Sequence, residues 1–134
     1  NNTVTRNTGA SGVGGGIFAR PHSGTVNNNT VTGNSSSGTG GGMYLYFTAG
    51  GPYVVTGNTI KDNVASGQGG GIFAIGEGTL SNNIIDGNTA SDSGGGIFAQ
   101  EKITISDNTI SNNTASRGGG GCGPWVGCAC ARIR

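Results

Sequence analysis

Apolar residues recur along this chain in short stretches that return every 25 to 29 residues. Three positions of each cycle are aliphatic, and glycine, asparagine, serine or threonine lie between them. The three series are Val4, Val31, Ile60, Ile85 and Ile110; Ile17, Met43, Ile72 and Ile97; and Val26, Val55, Leu80 and Ile105. No stretch shows the 3.6-residue period of an amphipathic helix. The pattern predicts three short β-strands in each cycle.

Two sequence words repeat with this spacing. One is a glycine triplet followed by an aliphatic and an aromatic residue, beginning at Gly14, Gly40, Gly69 and Gly94, with a decayed fifth copy at Gly119. The other is Asn-Thr-[Val/Ile]-x-x-Asn, beginning at Asn2, Asn29, Asn58, Asn83 (where Ile84 replaces the threonine) and Asn108. The repeats predict an all-β fold, a parallel β-helix of five coils of about 25 residues. Each strand would pair with its equivalent one coil away, at about 4.8 Å.

Glycine and asparagine belong at the corners of such a coil, where the chain turns with positive φ or approaches itself closely. The last asparagine of each word is expected to stack on its equivalents, each amide bonding to the next coil. This predicts a structural ladder of Asn7, Asn34, Asn63, Asn88 and Asn113.

Charge and length narrow the classes of function. The 134 residues make one domain, with the repeats over 1–121 and a degenerate C-terminal coil or cap over 122–134. A net charge of +1 favours neither nucleic acid nor an anionic membrane. No apolar run is long enough for a membrane span. A shift of 25 residues also places Lys61 beside Asp86, Glu77 beside Lys102, and Asp92 beside Arg117, which gives these charges a structural role.

The two words resemble the repeats of right-handed parallel β-helix proteins of the pectin-lyase-like superfamily. They are closest to the Gly-Gly-[Ala/Gly]-Ile repeats of polymorphic outer-membrane and adhesin-like surface proteins. The similarity covers residues 1 to about 121, and the right-handed coil is implied by it alone. It implies no single activity, because the superfamily contains lyases, hydrolases, adhesins and phage spikes.

Catalysis is not expected. Glycosidases need two carboxylates that face one groove, and the acids here are scattered along the chain: Asp62, Glu77, Asp86, Asp92, Glu101 and Asp107. The single histidine, His22, lies in a loop, where a lone imidazole is more often solvated than catalytic. We expect no cofactor and no metal site, and the nonapeptide calcium repeat is absent from the sequence.

Aromatic residues are the best candidates for a contact surface. Alternation from the inward aliphatic residue would direct Phe18, Tyr44, Phe73 and Phe98 outward as a column, whereas a bend at the corner would turn the same rings inward. The second coil is enlarged, and insertions in solenoids tend to map to binding faces. Tyr46, Phe47 and Tyr53 in that insertion are therefore predicted to project as a contact patch, unless the loop covers its own apolar residues.

Three cysteines, Cys122, Cys128 and Cys130, all lie in the tail. They fall on apolar strand positions of the preceding coil, so they could close the core as small hydrophobic residues. A disulfide from Cys122 to Cys128 or Cys130 is the alternative outside the cytoplasm. Closed zinc sites need four ligands, so a zinc site is not expected.

These observations favour a non-enzymatic structural protein, extracellular or at the cell surface, whose solenoids stack end to end into a fibre or surface rod. Uncapped solenoid ends expose strand edges and recruit another copy, so self-association is the expected partnership. The alternative is a fragment of an adhesin or autotransporter passenger that binds glycans. A carbohydrate-active enzyme comes third.

Overall fold

The computed structural model describes residues 1–48 and 53–121, together with the backbone of Arg132–Ile133. These residues form strands joined by tight corners, and no helix in the described part of the chain is long and apolar enough to cross a membrane. The strands are β1 (Thr3–Thr5), β2 (Thr8–Gly9), β3 (Ile17–Ala19), β4 (Gly24–Asn27), β5 (Thr30–Thr32), β6 (Ser35–Ser36), β7 (Met43–Tyr46), β8 (Tyr53–Thr56), β9 (Thr59–Lys61), β10 (Val64–Ala65), β11 (Ile72–Ser81), β12 (Ile84–Asp86), β13 (Thr89–Ala90), β14 (Ile97–Ser106), β15 (Thr109–Ser111), β16 (Thr114–Ala115) and β17 (Arg132–Ile133).

All of these strands lie in three parallel sheets that run along the axis of a solenoid. The first sheet has the order β1-β5-β9-β12-β15-β17 and the second β2-β6-β10-β13-β16. The third contains β3-β7-β11 and β4-β8-β11, with β14 paired to β11. The predicted parallel β-solenoid is confirmed. The described residues contain the strands of four coils, and the fifth begins with β15 and β16.

The number of strands per coil differs from the predicted three. The first two coils have four, because β3 and β4 are separate strands, as are β7 and β8. Pro21 lies in the first of these gaps and has no backbone N–H to donate to a neighbouring strand. In the third and fourth coils the two stretches fuse into β11 and β14, which pair without interruption from Ile72↔Ile97 to Ser81↔Ser106.

Alternation along the strands builds one continuous core. Register pairs align Val31 with Ile60, Ile60 with Ile85, and Ile85 with Ile110, as predicted. The two other aliphatic columns align in the same way. Their central members, among them Met43, Ile72 and Leu80, are completely buried. Burial at about 25 cal/mol per Å² of apolar surface is the main favourable term in holding the coils together.

No glycine of the repeated triplet can be replaced by a residue with a side chain without a steric conflict, as the third coil shows. Gly69 has φ +67°, and an added Cβ would lie 2.5 Å from the Ile72 carbonyl oxygen. A Cβ on Gly70 would collide with carbonyl oxygens of the next coil, and one on Gly71 would lie 2.6 Å from the Gly96 oxygen and 3.1 Å from the Asn88 amide. The triplet therefore allows backbones of successive coils to meet at this corner.

Candidate functional site

The predicted asparagine ladder is present, and it is hydrogen-bonded along its whole length. Asn34 donates to Asn63 Oδ1 from both its backbone N–H (2.9 Å) and its Nδ2 (3.0 Å). The same pair of bonds joins Asn7 to Asn34, Asn63 to Asn88, and Asn88 to Asn113. The central amides are almost completely buried, so these bonds satisfy groups that water cannot reach.

A second ladder, which the sequence interpretation missed, stands five residues earlier in the coil. It contains Asn2, Asn29, Asn58, Asn83 and Asn108, joined by the same bonds from backbone N–H and Nδ2 to Oδ1. Both ends of the repeated word are therefore ladder positions. The signal was available, because the first asparagine of the word repeats as faithfully as the last one.

Both ladders are directional. Every ladder asparagine of the first four coils donates toward the C-terminal end of the solenoid, into the Oδ1 of the following coil. The Nδ2 also donates backwards to a backbone carbonyl of the preceding coil, as from Asn63 to Val31 O (3.0 Å) and from Asn83 to Val55 O (2.9 Å). A coil inside the stack thus needs an asparagine-bearing coil on each side.

Within residues 1–48 and 53–121, no coil lies against the outer side of the first coil. Asn2 and Asn7 are exposed, although their equivalents in the middle coils are buried. The core residues Val4, Ile17 and Val26 are only partly buried there. Together with Asn2 and Asn29 they line an open depression of about 360 Å³. We call this surface the N-terminal face.

The predicted aromatic column forms a stack whose exposure falls from its N-terminal end: Phe18 is exposed, Tyr44 is partly buried, and the last two rings are buried. Successive rings of Phe18, Tyr44, Phe73 and Phe98 lie 5.3, 5.1 and 5.3 Å apart between centroids and within 10° of parallel. Phe18 is 51% exposed, but Phe73 is 6% and Phe98 2% exposed. Phe73 and Phe98 are therefore not contact residues, which corrects that part of the prediction. Each interior ring covers the face of its neighbour, and only the first ring keeps an open face.

The contact patch predicted in the second coil is also wrong for two of its three residues. Phe47 and Tyr53 are each 5% exposed and pack against each other in the core, with ring centroids 4.5 Å apart. Alternation continues inward from Met43 through Leu45 to Phe47. The backbone and Cβ of Phe47 lie against Gly76, and its ring lies over Gly78. Burial raises the pKa of Tyr53 above its ordinary value.

Tyr46 is the exposed member of that patch, at 36%. The Arg20 guanidinium lies 5.0 Å from its ring centroid, a cation–π contact between the first two coils. Nearby, Thr48 Oγ1 donates to the Pro21 carbonyl oxygen (3.1 Å) and lies 3.0 Å from His22 Nδ1. These contacts explain how the loop of the first coil, with its lone histidine, is held against the second.

One of the three predicted charge pairs forms an ion pair. Lys61 Nζ lies 2.9 Å from Asp86 Oδ2. Glu77 and Lys102 are register neighbours, and the Arg117 backbone N–H donates to the Asp92 carbonyl oxygen. Neither of these two pairs, both within the described residues, is joined by an ion pair. Their side chains are therefore aligned by the register without contributing a direct contact.

Asp86 is the most strongly shifted titratable group. Hydrogen bonds from Lys61, then Ser111 (2.8 Å) and Asn112 (2.7 Å), lower the pKa of Asp86 to about 2. The hydrogen bond with Asp86 in turn raises the pKa of Lys61. These contacts join the third, fourth and fifth coils, so they tie the solenoid together along its side.

Metal-binding residue types are dispersed over the described ranges. Within residues 1–48 and 53–121, no three side chains of His, Cys, Asp or Glu come together as a metal site. Cys122, Cys128 and Cys130, with their proposed disulfide and cap, lie outside the described residues. Of residues 122–134 the structure describes only β17, whose backbone pairs Arg132 with Thr109 and Ile133 with Ile110.

Comparison with curated proteins gives no match, and neither does comparison with solved structures. A family model described as "Periplasmic copper-binding protein (NosD)" matches residues 1–125, which cover all four complete coils. This is a parallel β-helix family of the pectin-lyase-like type, so the resemblance inferred from the repeated words is confirmed at that level. By its repeats, its coil architecture and this match, the chain belongs to the NosD family.

Proposed function

We propose that this chain is a non-enzymatic structural protein that acts outside the cytoplasm, and that its solenoids stack end to end into a rod or fibre. The observation that carries the proposal is the N-terminal face. It presents two ladder amides, Asn2 and Asn7, an open aromatic ring, Phe18, and a partly exposed core. The equivalent groups in the third and fourth coils are buried, because a further coil covers them.

The free edges of the first coil support the same proposal. Among the residues that the structure describes, the four strands of the first coil pair on one side only: β1 with β5, β2 with β6, β3 with β7, and β4 with β8. Unpaired edges of this kind are templates for another chain. The location outside the cytoplasm is supported by the description of the family as periplasmic.

The family description also names copper, and the described residues do not fit that metal. Copper sites in proteins use imidazole, thiolate and thioether ligands. The only methionine, Met43, is completely buried in the apolar core, and the only histidine, His22, is exposed in a loop. Since no cluster of ligands forms within 1–48 and 53–121, we assign no copper chemistry to the solenoid body.

Glycan binding is the second candidate, and one observation favours it. Phe18 and Tyr46 expose aromatic surface on the outer side of the first two coils, beside Arg20, and exposed aromatic rings are common contact surfaces. Binding of soluble polysaccharides that is lost in Tyr46→Ala and kept in Phe47→Leu would support this role. Equal binding by the wild type and Tyr46→Ala would exclude Tyr46 as the contact.

Electron microscopy with sedimentation velocity tests the stacking proposal on the full chain. We expect rods whose length grows with protein concentration, with a repeat of about 29 Å, because the first sheet has six strands about 4.8 Å apart. Val26→Asp places a carboxylate in the open core of the N-terminal face and should leave single short rods. Thr104→Asp is the matched control, because Thr104 is exposed at the register-equivalent position of the Thr25 column in the fourth coil, away from the N-terminal face, and it should stack like the wild type.

Circular dichroism melts of both variants show whether the fold is retained. A wild-type protein that stays a single rod at every concentration would overturn the proposal. Equal stacking of the wild type and a folded Val26→Asp would show that the N-terminal face is not the contact.

A further inference from the structure

One asparagine of the buried ladders lies in an acceptor sequence for N-glycosylation. The acceptor sequence is Asn-X-Ser/Thr, which is modified in exported proteins, and the chain contains it at Asn1, Asn28, Asn34 and Asn112. We infer that an N-glycan on Asn34 is incompatible with this fold, and that the chain therefore leaves the cytoplasm by a route that transfers no N-glycans. The export route, but not the incompatibility, rests on the proposed location outside the cytoplasm.

Both hydrogens of the Asn34 amide nitrogen are already used inside the solenoid. One is donated to Asn63 Oδ1 (3.0 Å) and the other to the Val4 carbonyl oxygen (3.0 Å), and Asn34 is 1% exposed. In glycan transfer, Nδ2 forms a bond to C1 of a sugar, the bond from that carbon to a lipid pyrophosphate breaks, and one Nδ2 hydrogen leaves as a proton. Every glycosylated molecule would therefore lose one of these two hydrogen bonds.

The space around Asn34 Nδ2 is too small for a sugar. A Cβ added to Gly16 would lie 2.9 Å from this nitrogen, so even one extra carbon there would be too close. Successive coils are about 4.8 Å apart, which leaves no room for a sugar ring between them. A glycan on Asn34 could be accommodated only if the second coil separated from a neighbouring coil.

Two of the other acceptor asparagines show what a compatible position looks like. Asn28 and Asn112 lie at corners of the solenoid, with φ of 53° and 54°, and both are exposed. A glycan on either residue would project into solvent without entering the core. The conflict is therefore specific to Asn34, and the exposed acceptors serve as internal controls for transfer.

The sequence around the ladders provides a matched variant. At every other ladder asparagine, the second residue that follows is glycine, alanine or a larger aliphatic residue, whereas Asn34 is followed by Ser36. Ser36 is buried and pairs in register with Ala65, which pairs with Ala90. Ser36→Ala therefore removes the acceptor sequence, keeps Asn34, and introduces the residue of the next two coils. The variant loses the hydrogen bond from the Gly38 N–H to Ser36 Oγ (3.2 Å).

Secretion of the full chain from eukaryotic cells, whose secretory pathway transfers N-glycans, tests the inference. Protein from bacterial cells without this transfer gives the reference circular dichroism spectrum, and there the wild type and Ser36→Ala should have the same spectrum. In the eukaryotic cells we expect loss of folded wild-type protein from the medium. Glycopeptide mass spectrometry should find the Asn34 glycan in the retained protein. Ser36→Ala should be secreted with the reference spectrum and with a glycan on Asn28.

Three results would overturn the inference. Secreted wild type with the reference spectrum and a glycan on Asn34 would show that the fold tolerates the sugar. Folded wild type with an unmodified Asn34, at the yield of Ser36→Ala, would show that folding precedes transfer and that the route is not restricted. Equal retention of Ser36→Ala would show that Asn34 glycosylation is not what blocks secretion. End-to-end stacking is measured on the bacterial protein, so it stands or fails separately.

Discussion

The first and third coils carry almost the same words and have very different surroundings. In the third coil, Ile60, Ile72 and Leu80 are completely buried, and Phe73 is 6% exposed. In the first coil, the equivalent Val4, Ile17 and Val26 are only partly buried, and Phe18 is 51% exposed. The difference comes from neighbours alone, because the third coil has a coil on both sides and the first has one. The contribution of a residue to the stability of this solenoid therefore depends on whether its coil has neighbours on one side or on both.

The ladder asparagines should show the largest contrast between the two coils. Asn63→Ala leaves the buried Asn34 N–H and Nδ2 and the Val31 carbonyl without their partners. We expect the free energy of unfolding to fall by about 4 kcal/mol, since each buried unsatisfied group costs about 1–3 kcal/mol. Asn7→Ala, in the exposed first coil, should cost less than about 1 kcal/mol. Urea unfolding, at a protein concentration that gives single rods, measures the loss in each variant. Equal losses in Asn63→Ala and Asn7→Ala would show that the two coils do not differ in this respect.

The aromatic column should show the next largest contrast. Phe73 lies between Tyr44 and Phe98 with both faces covered, so Phe73→Ala should reduce the unfolding free energy by about 3 kcal/mol. Phe18→Ala removes a half-exposed ring with one stacked face and should cost about 1 kcal/mol. Thermal melts followed by circular dichroism compare the two variants. Equal losses of stability in Phe18→Ala and Phe73→Ala would mean that the Phe18 ring is covered in solution.

Acid titration of Asp86 should give the smallest effect. Its pKa in the folded protein is about 2, below the ordinary value of about 3.9 for an unfolded aspartate. The stabilisation is therefore fully present above about pH 4 and is lost as the pH falls from there through 2. Lys61 is largely exposed, so the effect is small because water screens the pair.

Asp86→Asn is the matched variant for this measurement. Its stability should change less than that of the wild type between pH 5 and pH 2, because the titrating carboxylate is gone. Urea unfolding at several pH values checks the difference. Parallel stability curves for the two proteins would show that Asp86 has no shifted pKa.

Much of this fold could be predicted because a repeat constrains itself. The spacing of Val31, Ile60 and Ile85 predicts which residues pair between coils and which side chains point inward. The structure pairs these residues and buries all three. The insertion in the second coil was harder to interpret, because extra residues interrupt the alternation. Whether Tyr53 returns to the inside depends on how the loop closes. Phe47 was misplaced for a different reason, since alternation from Met43 already directs it inward.

The sequence by itself determined the parallel solenoid, its core columns and the asparagine ladder, because these depend on which residues recur at one coil's distance. Only the tertiary structure decided which copies of a repeated residue are exposed. Equivalent positions of the repeat have the same or similar residues, such as Asn2 and Asn58 or Phe18 and Phe73. They differ only in whether another coil lies against them. Burial is a property of stacked neighbours, so the N-terminal face, the best candidate for function, became visible only when the coils were assembled.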